Sequence, residues 1–236
     1  DATNTENEYG YDSSYGLYTR TWDANDHRKE HFSDAFGRLV RVHEWWGTSA
    51  GQYYVTTYGY NVLDGLEHVD DAAGNDTWVA YDMLGRKTSM TDPDMGTWWY
   101  AYDAAGNLTS QTDAKSHTIT FTYDALNRLT LKNYPTGSDV YYKYDNYKSD
   151  ALAKNSWGRL RANYVGSEMS NGHLYEYDNR GRNTRDTVWV DGTSYATQYL
   201  YDAMSRVAST TYPDGETVTT TYNPQALPQT LTGSGT

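Results

Sequence analysis

The chain has 236 residues, of which Ile, Leu, Val and Phe contribute only 31, against 25 Tyr and 8 Trp. So few aliphatic residues with a net charge of -12 would ordinarily indicate disorder; disordered segments are poor in aromatics, so burial here falls to rings and Thr methyl groups. The acidic balance excludes a phosphate backbone as partner and argues against anionic lipid. No apolar run approaches the ~20 residues of a spanning helix, so membrane insertion is not expected. The absence of cysteine removes disulfides and thiolate chemistry.

Residues 1–21 read as an irregular or partial repeat without the basic and apolar regions of a signal peptide. From 22 to 232 the sequence repeats itself. Degenerate copies come first, Ser33-Asp34 followed by Gly37-Arg38-Leu39, and Tyr60-Asn61. The clear copies are Tyr81-Asp82, Tyr102-Asp103, Tyr123-Asp124, Tyr144-Asp145, Tyr177-Asp178, Tyr201-Asp202 and Tyr222-Asn223, at intervals of 21, 21, 21, 33, 24 and 21 residues. A fixed period in this range marks a repeat architecture.

Within each copy large residues alternate with small ones, as in Trp98, Tyr100, Tyr102 and in Thr118-Ile119-Thr120-Phe121-Thr122-Tyr123. Period two predicts a strand with two distinct faces. The Asp then starts a turn, and Gly85, Gly106 and Gly181, or Asn127, supply a positive φ four residues after the Tyr. Ser205 and Ala226 in that slot predict turns of another shape. About half a period later a second turn follows, as in Asp92-Pro93-Asp94-Met95-Gly96 and Tyr212-Pro213-Asp214-Gly215. Each unit therefore holds two strands and two turns. The predicted fold is all-β, a repetitive antiparallel hairpin meander in which tyrosines stand in register on one face. The 33-residue interval places an insertion near 146–157, with Ser149 capping a short helical turn, and residues 233–236 form a tail.

The pattern YDxxGRLT…PDG…YxYD resembles the tyrosine-aspartate (YD) repeats of the Rhs family, found in bacterial Rhs proteins, the C component of insecticidal Tc toxins and animal teneurins. Tyr81 to Arg86 and Tyr102 to Thr109 carry the resemblance best, and it extends from about Trp22 to Thr232. The residues that define the repeat are Tyr81, Asp82, Gly85, Arg86, Tyr102, Asp103, Gly106, Tyr123, Asp124, Asn127, Arg128, Tyr144, Asp145, Tyr177, Asp178, Gly181, Arg182, Tyr201, Asp202, Arg206 and Tyr222. The resemblance implies a curved, spiralling strip of hairpins, here an arc of a hollow β-shell. In bacterial members that shell encloses a toxic C-terminal domain, which implies a secreted or cell-surface bacterial location. Nothing in this chain resembles the autoprotease or the payload of those members, so the stretch is similar to wall. The partners implied are the rest of the parent shell and its cargo domain.

Other chemistry-bearing patterns are weighed against this. His27-Arg28-Lys29-Glu30-His31 spells an inverted zinc-protease motif, but that motif needs a helix, and on a strand Glu30 points away from both histidines; no metal, cofactor or enzymatic activity is expected. Asp70-Asp71 and Asp92-Pro93-Asp94 fall in turn phase, where Asp serves the backbone. Asn75-Asp76-Thr77 and Asn107-Leu108-Thr109 are glycosylation sequons that matter only in a eukaryotic secretory pathway. Trp45-Trp46 and Trp98-Trp99 put consecutive indoles on opposite faces, leaving one of each pair free to contact a glycan or a partner. Two functions follow: a structural scaffold that shields a cargo, or an extracellular adhesion module using exposed Trp and Tyr. Open edge strands also predict self-association.

Overall fold

A computed structural model describes residues 6–23, 27–47, 51–145, 155–167 and 170–234. Among these residues there are twenty β-strands and no α-helix. The chain divides into two compact units, residues 1–102 with 110–118, and residues 103–109 with 119–236.

In the first unit the strands are β1 (Glu6–Asp12), β2 (Gly16–Trp22), β3 (Arg28–Ser33), β4 (Leu39–Trp45), β5 (Tyr53–Tyr60), β6 (Leu66–Asp70), β7 (Asp76–Tyr81), β8 (Lys87–Asp92) and β9 (Gly96–Tyr102). Each pairs antiparallel with the next. The segment expected to be irregular or a partial repeat thus contains the β1–β2 hairpin. Strands β10 (Leu108–Thr112) and β11 (Thr118–Tyr123) have residues in both units. The second unit continues with β12 (Leu129–Asn133), β13 (Val140–Tyr144), β14 (Leu160–Val165), β15 (Asn171–Tyr177), β16 (Asn183–Val190), β17 (Thr193–Tyr201), β18 (Val207–Thr211), β19 (Thr217–Tyr222) and β20 (Pro228–Ser234). Here too every strand from β11 onward pairs antiparallel with its successor. The all-β hairpin meander is therefore what the structure shows in each unit.

The two faces of the strands differ. In β7, Thr77, Val79 and Tyr81 are half-buried while Asp76, Trp78 and Ala80 are exposed; β11 and β19 alternate likewise. The tyrosine face is the covered one. Full burial of apolar side chains is confined, among the described residues, to Phe32, Val42 and Ala162. A fold with so small a core must be held by contacts between neighbouring hairpins rather than by an interior.

A feature absent from the expectations recurs beside the tyrosines. The ladder shifts register between Ala80 and Tyr81, Thr122 and Tyr123, Lys143 and Tyr144, Glu176 and Tyr177, Leu200 and Tyr201, and Thr221 and Tyr222. Tyr81 faces Lys87 whereas Ala80 faces Ser89, which leaves Thr88 as an extra residue. Such a bulge sharpens local twist and re-aims the side chain beside it, and here that side chain is the repeat tyrosine.

Candidate functional site: the tyrosine-aspartate turns

The Asp of each copy organises the turn that follows it. At Asp82 the backbone N–H donates to the Arg86 carbonyl at 2.9 Å, and the Gly85 N–H donates to the Asp82 carbonyl at 3.0 Å. One carboxylate oxygen accepts from the N–H groups of Leu84 and Arg86 at 2.9 and 3.0 Å, and the other from Arg86 Nε at 2.7 Å. Asp124 with Arg128 and Asp202 with Arg206 repeat this geometry. Asp34 with Arg38 and Asp178 with Arg182 do the same. These bonds stabilise the charged carboxylate. At Asp82 the Arg86 N–H bond is the leading cause, and the carboxyl is held below its ordinary value.

Ser205 and Ala226, expected to mark turns of another shape, adopt φ of 65° each. Their N–H groups close the same bond, to Asp202 and Asn223 at 3.0 and 2.9 Å. The Asp or Asn cap thus holds even residues that disfavour the left-handed region, and Gly85, with φ of 75°, only makes it easier.

The tyrosine reaches backward. The hydroxyl of Tyr102 donates to the carbonyl of Lys87, the residue directly after Arg86, at 2.9 Å, and the Arg86 guanidinium lies 4.7 Å from the Tyr102 ring centroid. The same double contact joins Arg38 and Leu39 to Tyr60, and Arg159 and Leu160 to Tyr177. It recurs from Arg182 and Asn183 to Tyr201, and from Arg206 and Val207 to Tyr222. Each hydroxyl bond is worth about 1 kcal/mol, and each cation–π contact about 0.5–1 kcal/mol at such exposed sites. One chain of contacts, Asp to Arg to the next Tyr, therefore fastens hairpin to hairpin at these steps; at Tyr81, where Gly65 takes the place of the Arg, the hydroxyl bond to the Leu66 carbonyl at 2.8 Å acts without it. Where Asn107 replaces the Arg, its amide still donates to Asp103 at 2.9 Å and Tyr123 still donates to the Leu108 carbonyl at 3.0 Å.

The interlock tolerates hairpins of different length. The hydroxyl and its carbonyl are 15 residues apart for Tyr81, Tyr102, Tyr123 and Tyr222, 17 for Tyr177, 18 for Tyr201 and 21 for Tyr60. What recurs is the contact, and the 21-residue spacing is its commonest consequence.

The long interval after Tyr144 obeys the same rule. The Asp145 N–H donates to the Arg159 carbonyl at 3.1 Å, and Gly158, with φ of 75°, donates to the Asp145 carboxylate at 2.6 Å. Ser156-Trp157-Gly158-Arg159-Leu160 completes a Tyr-Asp-x-x-Gly-Arg-Leu motif begun at Tyr144. Ser156 and Trp157, assigned by the sequence to the insertion, are turn residues, and Ser156 is fully buried. The interruption is residues 146–155; Ser149 and its cap lie outside the described residues. Deleting 146–155 should restore an uninterrupted turn and leave the protein folded. Closure entropy changes slowly with loop length, so the urea midpoint is expected to stay level or rise by the equivalent of less than ~1 kcal/mol. Equilibrium unfolding checks it; a cooperative loss of structure would show that the inserted residues support the sheet.

The other candidates separate. His27 Nδ1 meets Asp23 at 3.0 Å, while Glu30 and His31 occupy opposite faces of β3, so the three do not converge on a metal. Asp92 bonds the N–H groups of Asp94 and Met95 and the Thr77 hydroxyl, which is turn chemistry. No group of three metal-ligating side chains exists among the described residues. Trp46 and Trp99 are 59% and 58% exposed. Their neighbours are anchored, Trp45 Nε1 donating to Glu30 at 3.0 Å and Trp98 Nε1 to the Met95 carbonyl at 3.2 Å.

Glu30, weighed in the sequence only as part of the zinc-protease pattern, has a structural role that sequence reasoning missed. It is 4% exposed and receives Arg20 Nε at 2.7 Å, Arg28 at 3.4 Å, His43 Nδ1 at 3.3 Å and Trp45 Nε1 at 3.0 Å. Burial pushes its carboxyl up, but the hydrogen bonds from Arg20 and Trp45 and the Arg28 charge outweigh burial and hold it below the ordinary value. Burial pushes the His43 imidazole down, so it stands neutral and donates Nδ1–H. No feature of the repeat marks this cluster. The only signal was an acidic residue on the same strand face as Arg28 and Phe32.

Residues 102–139 match the family described as RHS Repeat. No curated protein matches the chain. Among solved structures, the chain resembles part of the TcdB2–TccC3 complex with a TM-score of 0.73 and 14% identity, covering 97% of this chain and 13% of that one. The complex of TcdB2–TccC3 with Cdc42 gives a TM-score of 0.70 at 14% identity, covering 97% and 14%. The Photorhabdus luminescens Tc holotoxin pore gives 0.72 at 14% identity, covering 97% and 13%. The chain thus spans about one seventh of the chains it resembles, and at this identity the likeness is one of fold.

Proposed function

Because the chain is built of Rhs/YD repeats, we propose that it is a length of non-enzymatic wall in a larger YD shell that encloses and shields a toxic or other cargo domain. The observation that carries this reading is the Asp–Arg–Tyr interlock. It joins successive hairpins within each unit, keeping the tyrosine bond even where Gly65 or Asn107 replaces the Arg, and is indifferent to hairpin length, which suits an extensible wall. The small core fits the same purpose, since a wall one sheet thick has no interior to fill. On this reading the partners are the remaining repeats of the parent chain and its cargo, in a secreted or cell-surface bacterial protein, and the edge strands β1 and β20 continue into neighbouring repeats.

The test uses the complete parent chain. Limited proteolysis followed by mass spectrometry should show the region downstream of the repeats surviving until the repeats themselves are cut. Early loss of that region from an intact repeat domain would overturn the container. The second reading, an adhesion module, is favoured by the exposed indoles of Trp46 and Trp99. It requires Trp99→Ala to abolish binding to a glycan or cell surface that the unaltered chain binds.

A further inference from the structure

The residue three positions after the turn-forming Asp or Asn is left-handed. Asp64, Asn127, Ser205 and Ala226 stand there with φ of 63°, 59°, 65° and 65°. Asn and Asp tolerate this region better than Ser or Ala, but all of them cost more there than Gly. Three of the four accept a hydrogen bond from the turn before. Arg38 Nη1 donates to Asp64 Oδ1 at 2.6 Å, Asn107 Nδ2 to Asn127 Oδ1 at 2.9 Å, and Arg182 Nη1 to Ser205 Oγ at 3.1 Å. In each case the donor directly follows the left-handed position of its own turn. Arg128 makes a fourth contact of this kind. It donates to both carboxylate oxygens of Asp145, at 3.2 and 2.7 Å, and Asp145 itself has φ of 60°. The glycines fit the same rule. A side chain at Gly181 would collide with the guanidinium of Arg159, which already fills that place, whereas around Gly85, whose preceding turn ends in Gly65, a Cβ would meet nothing within 4 Å. Every pair lies within one unit.

We propose that the left-handed position is a receiving site for the preceding turn, so that consecutive turns are tied side chain to side chain in addition to the tyrosine interlock. The two ties run in opposite directions: the tyrosine reaches back to the backbone of the turn before it, and the Arg or Asn reaches forward to the turn after it. An exposed pair of this kind is weak when both partners must be ordered for it alone. Here the donors are already held. Arg38 Nε is bonded to Asp34 at 2.7 Å, Asn107 Nδ2 to Asp103 at 2.9 Å and Arg182 Nε to Asp178 at 2.6 Å, so little further side-chain freedom is lost in reaching the next turn. The tie thus accounts for polar residues where Gly would be less strained, with Ala226, which offers no side-chain acceptor, as the exception. It is independent of whether the parent chain encloses a cargo.

A double-mutant cycle in equilibrium urea unfolding of the full chain tests it. Asp64→Gly relieves the left-handed backbone but removes the acceptor. Arg38→Leu removes the donor and leaves the residue type that Leu227 places at the same position of the last turn. The contacts of Arg38 with Asp34 and Tyr60 are absent from both Leu-containing variants and cancel in the cycle. Asp64→Gly should therefore stabilise more in the Arg38→Leu background than in the unaltered chain, its unfolding equilibrium constant falling about threefold further. A second cycle, Asn107→Ala with Asn127→Gly, should show coupling of the same sign, and it replaces the first if Arg38→Leu does not unfold cooperatively. A Gly substitution that changes stability equally with and without its donor would overturn the proposal, because the side chain at the left-handed position would then serve only its own turn.

Discussion

Replacing Glu30 with Ala is expected to destabilise the first unit by about 3–5 kcal/mol, the cost of breaking a buried ion pair from one side. The carboxylate is the shared acceptor of Arg20, Arg28, His43 and Trp45. Its removal leaves two guanidinium groups in a half-buried site, Arg20 with the exposed Glu8 as its remaining acid and Arg28 without its Glu30 pairing. The indole N–H and the imidazole Nδ1–H lose their acceptor at the same stroke. His43 Nε2 is already buried without a hydrogen bond, so this site has little capacity to absorb another orphan. Water entering beside Arg28 would soften the loss. Glu30→Gln keeps the volume and one acceptor and should cost less than the Ala variant. Urea unfolding measures both, and hydrogen exchange should localise the weakening to β3 and β4. A loss below ~1 kcal/mol for Glu30→Ala would mean the cluster is solvated in practice and the first unit is held by the tyrosine interlock alone.

How much of this was legible in the sequence depends on the range of the contact. Strand positions and turns could be read because alternation in stretches such as Thr118 to Tyr123, and the Asp with its Gly, act within a few residues. Gly85 and Asn127 announced their left-handed conformations; Ser205 and Ala226 did not, because the cap that enforces them is the Asp or Asn side chain three residues earlier. The arginines could be counted as part of the motif, but their task could not. Arg86 acts sixteen residues away on Tyr102, and only the pairing of strands brings the two together. The register shift beside each tyrosine was hidden likewise, since a bulge is a relation between two strands. The interruption after Asp145 was placed from intervals alone. Its far boundary became visible only when the Arg159 carbonyl was seen to close the turn. Glu30 was least legible: apart from Arg28 on its own strand, its partners Arg20, His43 and Trp45 lie ten to fifteen residues distant on two other strands, and none belongs to the repeat.

The same turn chemistry sets the response to acid, which should be a two-stage loss of stability. His31 and His43 have folded-state pKa values lowered, in both cases chiefly by burial. A group with a depressed folded value stabilises the protein above its unfolded value, and that contribution is lost as pH falls through the folded one. The unfolded value for His is about 6.5, so a shallow first loss should begin just below it. The turn carboxylates follow the same sign lower down. Asp71, Asp82, Asp103, Asp124 and Asp202 are all depressed by hydrogen bonds from their own turns, and Glu30 is depressed by its arginine partners and Trp45 despite burial. Their contribution is complete above the unfolded value of about 4 and disappears as pH drops below it. Because the groups recur along the chain, the unfolded state takes up many more protons than the folded state there, and the slope should be steep. One effect opposes this: protonation also relieves the self-repulsion of a chain with net charge -12. Exposed charges more than about 8 Å apart are largely screened at physiological salt, whereas the turn bonds act at about 3 Å, so the loss of bonds should win. Urea midpoints at pH 8, 5.5 and 3 in 0.15 M and 1 M salt would show it. His43→Phe should remove part of the first stage and leave the second. Stability that holds level to pH 3 at both salt concentrations would mean that the repeat aspartates are as well satisfied by water in the unfolded chain as by their turns, and the interlock would then rest on its tyrosines.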